Sequence, residues 1–302
     1  LYNSTVSGNV ALGNEALYAN TTGEYNVGVG NGALKSNTTG ETNTAVGKGS
    51  LSANTTGSLN SALGHASLEA NTTGAYNTAM GSYSQWKTTT GQFNSSFGHA
   101  SLQENTEGVI NTAVGVWAMR QNTTGSRNTA FGYEGLYSNS TGEKNSSLGA
   151  DAGFSNTTGS YNTYLGYFSG YNNSTGSRNI FLGYEAGYNA NYQDASDKLV
   201  IANSNTTTPL VDGDFSAATL KVNGSLSVTG SMTMSVANTI TSSSNFNGNE
   251  TIIPVSGNNI TVTIDSDQVV KGRILIFKLL GDGIAFYLNT EGSAQIQGKR
   301  AP

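Results

Sequence analysis

The sequence predicts an all-β chain: a parallel β-solenoid of about eleven 17-residue coils, followed by an extended β neck and a small β-sandwich. Three observations predict it. Gly recurs at 13, 30, 47, 64, 81, 98, 115, 132, 149, 166 and 183, and Asn stands four residues before each, from Asn9 to Asn179. A second Gly column runs from Gly23 to Gly176 at the same period and is broken only at Val6. The last 60 or so residues drop the repeat and show short apolar runs between Gly, Asn and Asp turns. A period held without a single insertion means that each copy stacks on the next in the same way.

The repeat covers residues 3–189 and reads N-T-T-G-x-x-N-T-A-V-G-x-x-A-L-x-x. Seventeen residues with two Gly leave no room for a helix pair. Asn-Thr-Ala-Val-Gly alternates like a short strand. Asn-Thr-Thr-Gly reads as a turn, with Gly free to take positive φ and Asn able to bond its own backbone. The following Ala-Leu or Ser-Leu pair reads as a second short extended piece. The residues that define the unit are Asn26, Gly30, Gly40, Asn43, Val46, Gly47, Leu51, Gly57, Asn60, Leu63 and Gly64.

Columns along the rod assign an inside and an outside. The always-large column Leu12, Val29, Val46, Leu63, Met80, Phe97, Val114, Phe131, Leu148, Leu165, Leu182 is placed inside the coil. So is the column Leu17, Leu34, Leu51, Leu68, Leu102, Met119, Leu136, in which Gln85 is the exception. A third column is small throughout, from Ala16 to Ala186, and permits close backbone approach. Lys35, Lys48, Glu69 and Arg120 occupy variable positions and are expected outside. Two large side chains per coil offset only part of the ordering entropy of its backbone, which argues for several chains side by side.

Three regions follow in order. In the last copies the Leu column becomes Gly153, Gly170 and Gly187, while aromatic residues accumulate (Phe154, Tyr161, Tyr164, Tyr167, Phe168, Tyr171, Tyr184, Tyr188). That pattern reads as a change of cross-section where the shaft meets its neck, or as a surface that stacks on sugars. Residues 190–240 are polar with short apolar alternations and read as strands entwined with partner chains. Residues 241–302 carry strand-like runs at 251–254, 260–264, 273–278, 284–288 and 294–298, a small antiparallel sandwich.

Chemistry is sparse. Charged residues are 11% of the chain, the net charge is −5, Cys is absent and there are two His. No basic cluster meets nucleic acid, no apolar stretch spans a bilayer, no cofactor is implied, and no catalytic constellation stands out. His65 and His99 share one repeat position and could meet a metal where copies of the chain come together, although that position varies freely. Asp212–Asp214 and Asp265–Asp267 offer too few carboxylates for calcium and read as turns. Asn20, Asn37, Asn54, Asn71, Asn122 and Asn156 match the N-glycosylation pattern, which their repetition at a turn explains equally well.

Asn-Thr-Ala-Val-Gly-x-x-Ala/Ser resembles the repeat of YadA-like trimeric autotransporter adhesin heads. The Asn-Thr-Thr-Gly linker and the 17-residue spacing are more similar to bacteriophage tail-fibre repeats. Residues 197–204, 209–215 and 220–225 are similar to the neck that follows such repeats. The resemblance implies a homotrimeric, extracellular, non-enzymatic attachment fibre on a virion tail or a cell surface. Its partners would be its own copies and a surface glycan or protein. The end-domain positions expected to touch that ligand are Asn245, Asp265, Asp267, Asp282 and Tyr287. The alternatives are a bacterial adhesin or self-assembling filament subunit and, more remotely, an ice-binding solenoid built on its Thr column.

Overall fold

The computed structural model describes residues 7–227, 274–278, 284–289 and 295–300. They fall in two units, Leu1–Gly224 and Ser225–Pro302. The first is a parallel β-solenoid without any α-helix among its described residues. Each coil gives one three-residue strand: β1 (Val10–Leu12), β2 (Val27–Val29), β3 (Thr44–Val46) and onward in 17-residue steps to β11 (Ile180–Leu182). Val27 pairs with Thr44 and Val29 with Val46, and every later pair keeps that register. At about 4.8 Å per coil the stack is about 50 Å long.

Buried amides hold that register. Asn26 Nδ2 donates to Gly40 O at 2.8 Å, and its Oδ1 accepts the backbone N–H of Asn43 at 2.9 Å. The same pair of bonds repeats from coil to coil up to Asn179, whose Oδ1 accepts from Lys198 N. The turn Asn forms a second ladder. Asn37 Nδ2 donates to Asn20 Oδ1 at 2.8 Å and to Gly40 O at 3.0 Å. The six Asn that match the glycosylation pattern belong to this ladder and are buried, so in the folded shaft their amides face inward.

The inside of the coil differs from the expectation at one column. Val46 is half-buried, and Leu63 (49% exposed), Phe97 (38%) and Phe131 (41%) lie on the surface. The strand's inward residue is the small one: Ala45, Ala62, Ala79, Ala113 and Ala130 are all but inaccessible. The reason is period-two parity. With Asn43 turned in, Ala45 also points in, and Thr44 and Val46 point out. The Leu51 column and the Ala16-to-Ala186 column are buried as expected, and Gln85 is buried with them. Lys35 and Lys48 are exposed, while Glu69 and Arg120 are half-buried.

The Ala-Leu segment is a turn and not a second extended piece. Leu34 and Leu51 have φ of 52° and 51°, and Glu15 and Tyr25 start two further left-handed columns at 57° and 58°. Such backbone costs an L-residue about 1–2 kcal/mol. It persists because the turns also form ladders: Leu34 N donates to Ser50 O at 3.0 Å and Thr38 N to Thr55 O at 2.9 Å. The two Gly columns have separate causes. Gly30 sits at φ +134° with Gly47 O 2.5 Å from where its Cβ would be. The turn glycines do not use positive φ. They are Gly because the coils touch there; a Cβ on Gly125 would lie 2.6 Å from Gly142 O.

The change in the last coils is an exchange of core filler. Where the strand supplies Tyr164 and Phe181 instead of Ala, the turn supplies Gly instead of Leu. A Cβ on Gly153 would stand 2.5 Å from the Tyr164 ring, and one on Gly187 2.5 Å from the Phe181 ring. The Tyr164 hydroxyl, wholly buried, donates to Asn173 Oδ1 at 3.1 Å, and burial raises its pKa above the usual phenol range. The shaft then continues past 189. β12 (Lys198–Ile201) pairs in parallel with β11, and β13 (Val211–Asp214) and β14 (Thr219–Val222) complete an antiparallel cap on the same sheet. In the second unit, β15 (Ile274–Lys278), β16 (Ile284–Asn289) and β17 (Gln295–Arg300) form an antiparallel sheet with β16 in the centre. The expected strands at 251–254 and 260–264 lie outside the described residues.

A double-mutant cycle tests the exchange. Tyr164→Ala alone should destabilise by about 3–5 kcal/mol through the cavity it leaves. Gly153→Leu alone should destabilise by about 1–3 kcal/mol through overpacking. Together the added side chain at 153 enters space that the Tyr164 ring vacates, so chemical denaturation should show the double variant losing clearly less than the sum of the two losses.

Candidate functional site

The strands turn two columns outward. One holds Thr44, Ser61, Thr78, Ser95, Thr112, Thr129, Ser146 and Thr163, flanked by Val10, Val27 and Ile180 at the ends. The other is the misplaced column, Leu12 to Leu182, and it is apolar in every coil. Its exposure reaches 67% at Leu12 and 54% at Leu148. No charged side chain interrupts either column over eleven strands. The ion pairs of the shaft stand at other positions: Lys35–Glu15 at 2.8 Å, Lys87–Glu104, and Arg178–Asp197 at 2.6 Å. The sheet face is thus an uncharged, largely apolar strip along the length of the shaft.

A second surface lies over the last coils. Tyr137, Phe154, Tyr171 and Tyr188 stack at ring separations of 5.0, 4.9 and 5.4 Å, with the first two pairs tilted by only 8°. Arg120 extends the ladder by donating to the Tyr137 hydroxyl at 2.7 Å. Sugar stacking needs a free ring face. Within this ladder neighbouring rings cover the faces and brace the coils, while Tyr161, Tyr167 and Tyr184 of the same region stay exposed. Beside it, Asp151 is pushed up to about 6, first by partial burial and then by a hydrogen bond with Glu134 and by that group's charge. Glu134 and Asp151 occupy the same repeat position, one coil apart. The same Glu134 raises the Tyr133 phenol above its ordinary range through a hydrogen bond.

His65 and His99 do not meet. Tyr83 stands between them, with ring separations of 5.0 and 6.1 Å, so the two imidazoles of one chain cannot share an ion. Asp214 is spent on its hairpin. It accepts from Lys198 Nζ, from the Ser216 hydroxyl at 2.6 Å and from Ala217 N at 2.9 Å. These partners, Lys198 first, hold its carboxyl far below the ordinary range. Asp212 accepts from the Tyr192 hydroxyl at 3.4 Å. Among the described residues no three His, Cys, Asp or Glu come together as a metal would require, and no helix is long and apolar enough to cross a membrane.

The repeat residues Asn26, Asn43 and Asn60 lie in the first amide ladder, Gly30, Gly47 and Gly64 at the strand ends, Gly40 and Gly57 in the turns, Leu51 in the core, and Val46 and Leu63 on the outer face. Asn245, Asp265, Asp267 and Asp282 lie outside the described residues. Tyr287 is in the middle of central strand β16, opposite Ile276 and Gln297. The outer face was within reach of the sequence, since parity from a buried Asn places Val46 outside. The Glu134–Asp151 pair has the same kind of signal: two acidic residues 17 apart. No protein-family profile, curated protein or solved structure matches the chain.

The acidic pair gives a pH test. The Asp151 folded pKa lies above the ordinary aspartate value of 3.8, so between 3.8 and about 6 the folded state holds the extra proton. Stability therefore falls as pH rises through that window and stays lower above it. Asp151→Asn removes the effect. Thermal melts should show the variant gaining on the wild type from about pH 4 to about pH 6, with a constant difference at higher pH.

Proposed function

We propose that the chain is the subunit of a homotrimeric attachment fibre, with the solenoid as its shaft and the C-terminal unit as its binding end. The uncharged outer face of the strands, with one column apolar in every coil, carries this reading. Soluble monomers seldom leave so large a continuous apolar surface in water. A face that repeats at the coil spacing is matched by another copy of itself in the same register, and closed rotational symmetry covers it in all subunits. The thin core agrees, because a coil whose strand contributes mainly Ala to its inside gains further burial by packing its outside. The resemblance of Asn-Thr-Ala-Val-Gly and Asn-Thr-Thr-Gly to trimeric fibre repeats points the same way.

In this reading the protein is no enzyme and works outside the cell, on a virion tail or a cell surface. The shaft spaces and aligns three end units, which bind a glycan or protein through residues such as Asn245, Asp265, Asp267, Asp282 and Tyr287. Three weak contacts then gain about 10²–10⁴ in avidity where the geometry allows. A cell-surface adhesin or filament subunit would use the same shaft. An ice-binding role is less favoured by the outer face, because beside the Thr and Ser column stands one of mixed Val, Leu, Met and Phe.

Leu63→Asp combined with Phe97→Asp places charge on the outer face without entering the core. Analytical ultracentrifugation should find trimers for the wild type and monomers for the variant, with β-sheet circular dichroism retained. A monomeric wild type at micromolar concentration overturns the reading. The role of the end unit has its own test. Deleting 241–302 should abolish attachment to target cells while trimers persist. Shortened fibres with unchanged attachment would instead make that unit a joint between subunits.

A further inference from the structure

One position of the second amide ladder is not Asn. Thr88 stands where Asn20, Asn37, Asn54 and Asn71 precede it and Asn105, Asn122 and Asn139 follow. In the ordinary coils one amide nitrogen makes two bonds, as Asn54 Nδ2 does to Asn37 Oδ1 at 2.7 Å and to Gly57 O at 2.9 Å. Thr is one atom shorter, and its hydroxyl does not reach either place. Asn71 Oδ1 is left without a partner, and so is Thr88 Oγ1, although both residues are fully buried. Gly91 O, which an Asn at 88 would also engage, receives only Asn77 Nδ2, at 2.8 Å, among side-chain donors.

The surrounding core is polar to match. Gln85 replaces the Leu of other coils and donates to Thr78 O and to Ser96 Oγ, both at 2.9 Å, while its own Oε1 lacks a donor. Ser96 takes the place of the usual inward Ala and lies 2.5 Å from Ser84 Oγ, which in turn is 3.2 Å from Ser101 Oγ. The three orphaned buried polar atoms of the described residues therefore all fall between Asn71 and Thr88.

We propose that an ordered water is bound here, in the place of the missing amide nitrogen. It donates to Asn71 Oδ1 and to Gly91 O and accepts from the Thr88 hydroxyl. Three bonds from polar neighbours are what a conserved internal water makes, and two donors with one acceptor satisfy each orphan on this ladder. The Ser and Gln side chains make this the wet section of an otherwise dry or amide-filled shaft.

Two variants of the full chain separate this from a dry defect. Thr88→Asn restores the nitrogen and expels the water, so its melting temperature should rise. Thr88→Val keeps the shape and removes the hydroxyl. With a bound water it takes away one of three bonds and should melt below the wild type. With a dry site it replaces an unpaired hydroxyl by a methyl and should melt at or above it. A crystal structure resolving ordered solvent should show density within hydrogen-bond distance of Asn71 Oδ1 and Gly91 O, absent in Thr88→Asn. No density there, or a Thr88→Val variant as stable as the wild type, overturns the proposal.

Discussion

Everything in the shaft depends on a buried side-chain amide that has to be satisfied by the coil next to it. Asn26 finds its acceptor in the Gly40 carbonyl and its donor in the Asn43 backbone. A buried amide left unpaired costs about 1–3 kcal/mol, and there are two such amides in most coils. Any insertion that moved Gly40 or Asn43 by one residue would orphan several groups at once. That penalty fixes the period, and the period in turn fixes the strand register, the glycine columns and the stacked turns. The amides also satisfy carbonyls in the middle of turns that have no sheet partner there.

The same arrangement leaves little room for a hydrocarbon core. Two Asn, one Leu and two small residues fill the section of a coil, so a large side chain on the strand has nowhere to go but out. Where the section does admit an aromatic ring, at Tyr164 and Phe181, the turn gives up its Leu for Gly. The apolar outer face, the left-handed leucines and the aromatic stacks at Tyr137 to Tyr188 are then parts of one problem. Each adds packing or hydrogen bonding that a narrow coil cannot find inside itself.

Most of the architecture was legible because a repeat reports its own geometry. The coil length and the parallel stacking follow from the spacing, and the burial of the Leu51 column from its unbroken apolar character apart from Gln85. The assignment of Val46 to the inside failed because size was used in place of parity: Asn43 and Ala45 lie on one side of the strand, and Val46 on the other. The Ala-Leu turn was missed since Leu, unlike Gly or Asn, gives no sign of positive φ. Thr88 and Gln85 were visible as departures, and Gln85 was noted, yet their meaning depends on which atoms lose partners in three dimensions. The end unit is legible only as strands, because its sequence has no internal copy against which to check a register.

Every side-chain bond within the repeats joins a coil to itself or to an immediate neighbour. Thr38 Oγ1 reaches Thr55 O, Asn37 reaches Asn20, and Trp86 Nε1 reaches Glu69 Oε2. A whole copy can therefore be lost or gained with only one junction to be remade. Length becomes a heritable quantity that changes in steps of about 4.8 Å, independent of what either end of the chain does. A lineage can adjust its reach by counting copies, leaving the chemistry of every coil as it was.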